Sequence, residues 1–327
     1  MNTFRTELAL TESPDKIGLR SSVLTLGSCF AEVVGRQLQA HKISTLVNPF
    51  GTIFNPISLV ELLENTIEER PFLPEHFLQH QEVWFHYDAH SSLWGHSHEA
   101  LQQTLETLQQ EVRIFLQKTE FLLLTLGTAW VYRHKSTDKL VANCHKTPSS
   151  YFDKQLLEVS EITAAFTRLG SLLERYKPSL KILLTVSPVR HTRDTLPLNA
   201  VSKATLRLAC HQLTQISENV FYFPAYEILL DDLRDYRFYK SDLIHPSELA
   251  EQYIFEQFGA VYFDNDLKKF VKEWQKIQQA LSHRPLQPNT TAHKHFLEAL
   301  LKKLHALAQR GINVQQEIEA VRNRIAV

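Results

Sequence analysis

The stretch Val23-Leu24-Thr25-Leu26-Gly27-Ser28-Cys29-Phe30 decides how this chain is read. An apolar run breaks at a Gly-Ser pair and passes straight into a helical pattern, with Phe30, Val33, Val34 and Leu38 on one stripe of a helix over 29–41. The sequence implies a buried strand, a sharp turn and a helix. Gly27 can take backbone angles closed to other residues, so such a turn holds the Ser28 hydroxyl at the mouth of a sheet. A helix starting there aims free N–H groups and its positive dipole end at anything bound beside that hydroxyl. Those are the needs of a nucleophilic serine. A serine at this place also serves as a plain helix N-cap, and the octet alone leaves both readings open.

Two further runs extend the pattern outward. Phe121-Leu122-Leu123-Leu124-Thr125-Leu126-Gly127 follows a helix predicted over about 98–117, and Lys181-Ile182-Leu183-Leu184-Thr185-Val186-Ser187-Pro188 follows one over 160–176. Runs that do not alternate, separated by helices, indicate parallel strands buried on both faces. Each run ends in a Gly or Ser-Pro turn, so the turns line up along the carboxyl edge of one sheet, where open α/β folds place their sites. A helix over 199–217 and a strand over Val220–Pro224 continue the series. Between the first two strands, Asn48-Pro49-Phe50-Gly51 and Asn55-Pro56 shape a tight loop expected to touch the Ser28 turn, and a helix follows over 56–66. Residues 71–98, rich in His and aromatics, read as an excursion with a strand near Val83–Tyr87. The expected class is a three-layer α/β/α sandwich around a central parallel sheet.

Composition bounds the function. The chain has 327 residues, 43% of them hydrophobic, and Lys+Arg 35 against Asp+Glu 36 leave a net charge of -1. Such a balance gives no bulk attraction to nucleic acid or to an anionic membrane, so a small, locally recognised substrate is expected. The first 20 residues lack the continuous apolar core of a signal peptide and no later run is long enough to span a bilayer, which predicts a cytoplasmic protein without membrane insertion. Three cysteines, Cys29, Cys144 and Cys210, are too few and too scattered for a disulfide framework or a cysteine zinc site. No cofactor and no metal are expected. His86, Asp88, His90, His96 and His98 could ligate zinc, but their irregular spacing favours a partly exposed His-rich loop. Cys29 is either a low-pKa thiol on a helix N-terminus or a residue packed inward.

Beyond about 265 the composition shifts toward Lys, Gln and Glu, so residues 1–265 are read as the core domain and 266–327 as a helical C-terminal extension. Ser282 to Asn289 reads as a linker. Phe296, Leu300, Leu304 and Leu307 form one stripe, and Ile312, Val314, Ile318, Val321 and Ile325 another, with Gly311 between. That amphipathic hairpin should cover an apolar surface of the core or of a second copy, the latter giving self-association through these helices.

Late in the chain, Asp242-Leu243-Ile244-His245-Pro246 places a carboxylate three residues before an imidazole. On a turn, Asp242 can hold one ring nitrogen of His245 while the other faces outward as a base for Ser28. Arg190 and His191, at the end of a strand, suit an anionic substrate group or an oxyanion, although Arg190 could equally pair with a core carboxylate.

Gly27-Ser28-Cys29-Phe30-Ala31 resembles the name-giving motif of the GSCFA family, placed among the SGNH/GDSL-like hydrolases. Asn48 to Gly51, Asn55-Pro56, Asp88-Ala89-His90, Gly127 to Trp130, Asn143-Cys144-His145-Lys146, Ser187 to His191, Tyr222 to Glu227, Asp235 to Tyr239 and Asp242 to Pro246 resemble that family's motifs in the same order, over about 22–258. The resemblance implies an SGNH-like fold and a Ser-His-Asp layout of Ser28, His245 and Asp242, with Gly51 as an oxyanion donor. It also implies a departure: where SGNH enzymes carry Gly-x-Asn-Asp, this chain has Gly127-Thr128-Ala129-Trp130, and each lost oxyanion donor is worth roughly 3 kcal/mol. Thr128 is the first candidate to replace the amide, with Asn48, Asn143 and His191 next and His145 beside them as a substrate contact. The expected function is a serine hydrolase or acyltransferase acting on a small-molecule or carbohydrate ester, with an O-acyl sugar as one substrate class. The alternative is a weakly active or non-catalytic binding module on the same scaffold.

Overall fold

The alternation hidden in the apolar runs is what builds the two-sided core. The protein is described by a computed structural model covering residues 6–283, 285 and 290–325. Its strands β1 (Ser22–Gly27), β2 (Ser44–Val47), β5 (Phe121–Leu126), β9 (Lys181–Val186) and β10 (Val220–Tyr222) form one parallel sheet in the order β10-β9-β5-β1-β2. Val23, Phe121, Leu123 and Leu183 point into one apolar layer with Phe30, Val34 and Leu38 of α1 (Cys29–Ala40). Leu24, Leu26, Leu122, Leu124, Leu184 and Val186 point into the other, against α2 (Pro56–Ile67), α3 (His98–Lys118), α4 (Val159–Tyr176) and α5 (Thr195–Ile216). A strand whose successive side chains are all apolar can do this only when both faces are covered.

The register fixes the edge. Gly27 lies opposite Thr125, Thr125 opposite Thr185 and Leu126 opposite Val186, so β1, β5 and β9 end together and the turns after them share one rim. Helix α2 starts sharply because the Asn55 side chain accepts the Ser58 N–H at 2.8 Å and Pro56 follows it.

Two differences from the sequence reading concern strands. The excursion contains a hairpin, β3 (Phe77–His80) with β4 (Val83–His86), whose turn puts Gln81 and Glu82 at φ 49° and 66° without any glycine. Between β5 and α4 a separate antiparallel sheet forms from β6 (Trp130–His134), β7 (Lys139–Val141) and β8 (Phe152–Leu156). Polar and charged residues interrupt its short strands, and no apolar run announces them. Helix α5 also begins at Thr195, four residues ahead of the expected start at 199.

After β10 come a short turn of helix, α6 (Ala225–Glu227), and α7 (Glu248–Tyr262), which is capped by Ser247. Then follow α8 (Asn265–Ser282), α9 (Thr291–Gln309) and α10 (Gln315–Ile325). Leu297, Leu300, Leu304, Leu307, Ile318 and Val321 are buried in the same apolar layer as α1 and α7. Trp274 Nε1 donates to Ala40 O at 2.7 Å and Lys42 pairs with Glu317 at 2.6 Å, tying the extension to the end of α1. Most of the stretch read as a linker over 282–289 lies outside the described residues. Among the described residues no helix is long and apolar enough to cross a membrane.

Candidate active site

Ser28 sits where β1 becomes α1. Its backbone is extended (φ −66°, ψ 172°), and its Oγ caps the helix by accepting the Phe30 N–H at 3.3 Å. Only glycine can precede it: Gly27 has φ 134°, and a Cβ there would lie 2.2 Å from Thr125 O. The N-cap role and a nucleophilic role are compatible, since Oγ accepts one bond and keeps its own proton to donate. The residue is fully buried.

The Asp-x-x-His loop forms the expected pair. Asp242 Oδ2 lies 2.7 Å from His245 Nδ1, while Oδ1 accepts the N–H groups of Ile244 and His245 at 2.9 and 3.0 Å. Those backbone N–H groups, His245 first, hold the Asp242 carboxyl well below the usual carboxylate range. The loop is docked on the strand-end segment after β9: Arg190 N donates to Ile244 O at 3.3 Å, and Arg190 Nη1 donates to Leu243 O at 3.2 Å. The Arg190 guanidinium lies over Tyr239, 4.2 Å from the ring centre, and 5.3 Å from that of Tyr236. Arg190 therefore pairs with no core carboxylate among the described residues. A recess of about 240 Å³ opens between His245, Val189, Pro246 and Cys29, the residue after Ser28. The His245 ring and Cys29 thus line one recess, Ser28 lies buried directly behind it, and no hydrogen bond joins Ser28 Oγ to His245 among the described residues.

The expected oxyanion donors are placed differently. The Ser28 N–H donates to Thr125 O at 3.0 Å as a continuation of the β1–β5 ladder, and the Gly51 N–H closes a turn onto Asn48 O at 2.7 Å. Gly51 is needed for space, because at φ 75° a Cβ would meet His90 Cβ at 2.3 Å. Thr128 is turned away as well. Its N–H donates to Phe54 O at 3.1 Å, and its hydroxyl lies 3.0 Å from Ser202 Oγ while accepting the Trp130 N–H at 3.1 Å. Asn48 Nδ2 donates to Ser28 O at 3.4 Å, leaving Asn48 Oδ1 buried without a partner. The expectation that Gly51 and Thr128 stand ready as oxyanion donors is therefore corrected: the Gly51 and Thr128 N–H groups are consumed in backbone pairing between strand-end loops, and the Thr128 hydroxyl is taken up by Ser202 and the Trp130 N–H. Among the described residues no oxygen accepts the Cys29 N–H, the first of α1, which faces only its own sulfur.

Asn143 and His145 follow β7 and pack against the excursion. Asn143 Oδ1 accepts the His145 N–H at 2.9 Å, and His145 lies flat on Phe85, its Nε2 2.8 Å from His86 O. The His-rich segment is partly exposed: His96 is exposed, Asp88, His90 and His98 are half-buried and His86 is buried. His76 and His86 are buried, Asp88 bonds His76 Nδ1 at 3.0 Å, and burial pushes His86 down to about 4. His191 stands edge-on to Phe54 at 5.1 Å with a buried, unpartnered Nε2, and burial followed by the charge of Lys203 lowers it to about 4. The Cys29 thiol is pushed up by burial, so it is no low-pKa nucleophile.

Sequence reasoning missed one organising group, on α5. The Asn199 side chain accepts the His191 N–H at 2.9 Å, Ser202 Oγ accepts the Ala129 N–H at 2.7 Å, and Lys203 Nζ donates to Gly127 O and Ser187 O, both at 2.7 Å. These residues are spaced i, i+3, i+4, one helix face. That face is buried while Leu196, Leu198, Val201 and Leu208 are exposed, the reverse of ordinary amphipathicity. The polar triplet was the available signal.

A parallel α/β/α sheet with a serine turn at its carboxyl edge and an Asp-His pair on a late loop of that edge defines the class. The chain belongs to the GSCFA family, which it matches over residues 22–258, and residues 274–327 match the C-terminal domain of GSCFA domain proteins. Comparison with the curated proteins finds no match. Among solved structures it is similar to a family 3 carbohydrate esterase from Talaromyces cellulolyticus, at 12% identity, covering 78% of this chain and 99% of that one with a TM-score of 0.34. It is also similar to the Clostridium thermocellum family 3 carbohydrate esterase, at 9% identity, 79% and 98% coverage and a TM-score of 0.35.

Proposed function

We propose that the protein is a serine hydrolase or acyltransferase acting on an ester, with Ser28 as nucleophile, His245 as base and Asp242 as the group that fixes the imidazole. The observation that supports this reading is the Asp242–His245 pair, held at 2.7 Å through Nδ1, which leaves Nε2 without a partner among the described residues on a ring that shares a recess with Cys29, the residue after Ser28. Ser28 Oγ attacks the ester carbonyl while its proton passes to His245 Nε2. The tetrahedral intermediate collapses as that proton is returned to the leaving alcohol, and water or a second alcohol then releases the acyl group by the same steps in reverse. The Cys29 N–H at the positive end of α1 is the backbone donor available to the oxyanion. An O-acyl group on a carbohydrate or another small alcohol is the substrate class. Self-association through the C-terminal helices is not part of this reading, because their apolar stripes are used within the chain. The three free cysteines suit a cytoplasmic, reducing compartment.

A second reading, a binding module without turnover, is favoured by one specific observation: the Ser28 and Gly51 N–H groups and Thr128 are already committed. A fluorophosphonate probe separates the two. Labelling of the wild type and of C29A but not of S28A supports the hydrolase, whereas a wild type inert to the probe and to p-nitrophenyl acetate supports the binding module.

A further inference from the structure

Lys203 is a buried cation without an anion. It is 1% exposed, and its Nζ is cradled by the carbonyls of Gly127 and Ser187, the first residues past β5 and β9. An ammonium has three N–H donors, so one is left without a protein acceptor among the described residues. No carboxylate of those residues lies within ion-pairing distance. The titratable groups that face it are the Cys29 thiol on α1, the His191 imidazole after β9 and the Tyr226 ring on α6, centred 5.9 Å from Nζ. Burying an ammonium against two neutral carbonyls is expensive, and packing alone gives no return for it. Its position does. Gly127 directly follows β5, the strand paired with β1, and the charge of Lys203 is felt at Cys29, the residue next to Ser28.

We infer that Lys203 is the charge-stabilising group of the oxyanion site, doing the work of the side-chain amide that Gly127-Thr128-Ala129-Trp130 lacks. This rests on the hydrolase reading above. The negative charge that develops on the carbonyl oxygen as Ser28 attacks is the anion the cradle is short of, and a fixed cation in a low-dielectric place favours it without reorganisation. Burial pushes the Lys203 ammonium down to about 7, so the charge is present below neutrality and is lost above it. The neighbours cannot mimic this titration: burial raises Cys29 and Tyr226 and lowers His191 to about 4.

The test is the pH dependence of p-nitrophenyl acetate hydrolysis by the full chain and by K203M, with S28A as control. In the wild type kcat/KM should fall on the alkaline side as Lys203 loses its proton. K203M with an unchanged circular dichroism spectrum should lose that alkaline fall and about a hundred-fold in kcat, with KM little changed. A folded K203M with wild-type kcat, or one that keeps the alkaline fall, overturns the inference while S28A inactivity leaves the hydrolase reading standing. If K203M does not fold, the wild-type profile decides, and a kcat/KM that stays level from about pH 7 to 9 overturns it. A wild type inert to ester and fluorophosphonate alike removes both readings.

Discussion

Among the described residues two Asp–His pairs are joined by a side-chain hydrogen bond, and they differ in what happens at the second ring nitrogen. His245 holds Asp242 through Nδ1 at 2.7 Å with both side chains more than two-fifths exposed, and its Nε2 has no partner among the described residues. His76 holds Asp88 through Nδ1 at 3.0 Å but is 1% exposed, and its Nε2 lies 3.3 Å from the Thr137 hydroxyl. The first pair is an oriented imidazole with one ring nitrogen left unpartnered among the described residues, which is what the proposed base requires. The second is a closed bracket joining the excursion to the β6–β7 turn. The same two residue types become chemistry or scaffolding according to whether folding leaves one nitrogen unspent.

The widest separation between the pairs is in catalysis. H245A or D242N should lower kcat for p-nitrophenyl acetate by on the order of 10³-fold or more, because the base is lost or loses its tautomer, with little change in melting temperature. H76A should leave kcat per folded molecule unchanged. A D242N enzyme within ten-fold of wild type would erase the contrast.

Acid stability should separate them next. His86 packs in the same bracket, and its folded value of about 4 lies below the ordinary 6.5. The unfolded chain therefore binds more protons between those values, so stability rises with pH across that window and is lost as pH falls from about 6.5 toward 4. Linkage puts the loss at about 3 kcal/mol as an order of magnitude. Urea midpoints measured at steps of pH should show it, and H86F should flatten the slope. An equal slope in H86F would assign the acid lability elsewhere. At neutral pH the corresponding loss for H76A is about 1–3 kcal/mol, read from the same urea curves, since Asp88 and Thr137 lose their partner.

The unequal legibility of these features has physical causes. The sheet could be read from Phe121 to Leu126 and Lys181 to Val186 because burial on both faces demands apolar residues at every position, and the Ser28 turn because only glycine fits at 27. The Asp242–His245 pair could be read because its geometry is local, two residues three apart on one turn. What escaped was everything non-local and polar. That Thr128 turns to Ser202, that the Gly51 N–H closes onto Asn48, and that Lys203 reaches two strand ends all depend on loops from different strands meeting, which no spacing encodes. The β6–β8 sheet escaped because its strands, exemplified by Phe152-Asp153-Lys154-Gln155-Leu156, carry too few apolar residues to leave a period.

The smallest expected effect concerns how the exposed pair is held. The bracket around His76 is fixed by burial, but the loop of Asp242 and His245 stands in solvent, with Leu243 at φ 59°, an uncomfortable angle for a leucine. Arg190 pins that residue from outside: its Nη1 donates to Leu243 O at 3.2 Å while the plane of the guanidinium rests on Tyr239 at 4.2 Å. Lysine keeps the charge but loses both the planar stacking and the fixed fork, so the loop should relax. R190K should then lower kcat about three- to ten-fold by widening the distribution of Nε2 positions, with KM for p-nitrophenyl acetate nearly unchanged because that ester is neutral. A rise in KM confined to anionic esters, with kcat intact, would instead make Arg190 a substrate contact. A kcat and KM both equal to wild type would mean that the two backbone bonds from Asp242 Oδ1 suffice to hold the turn.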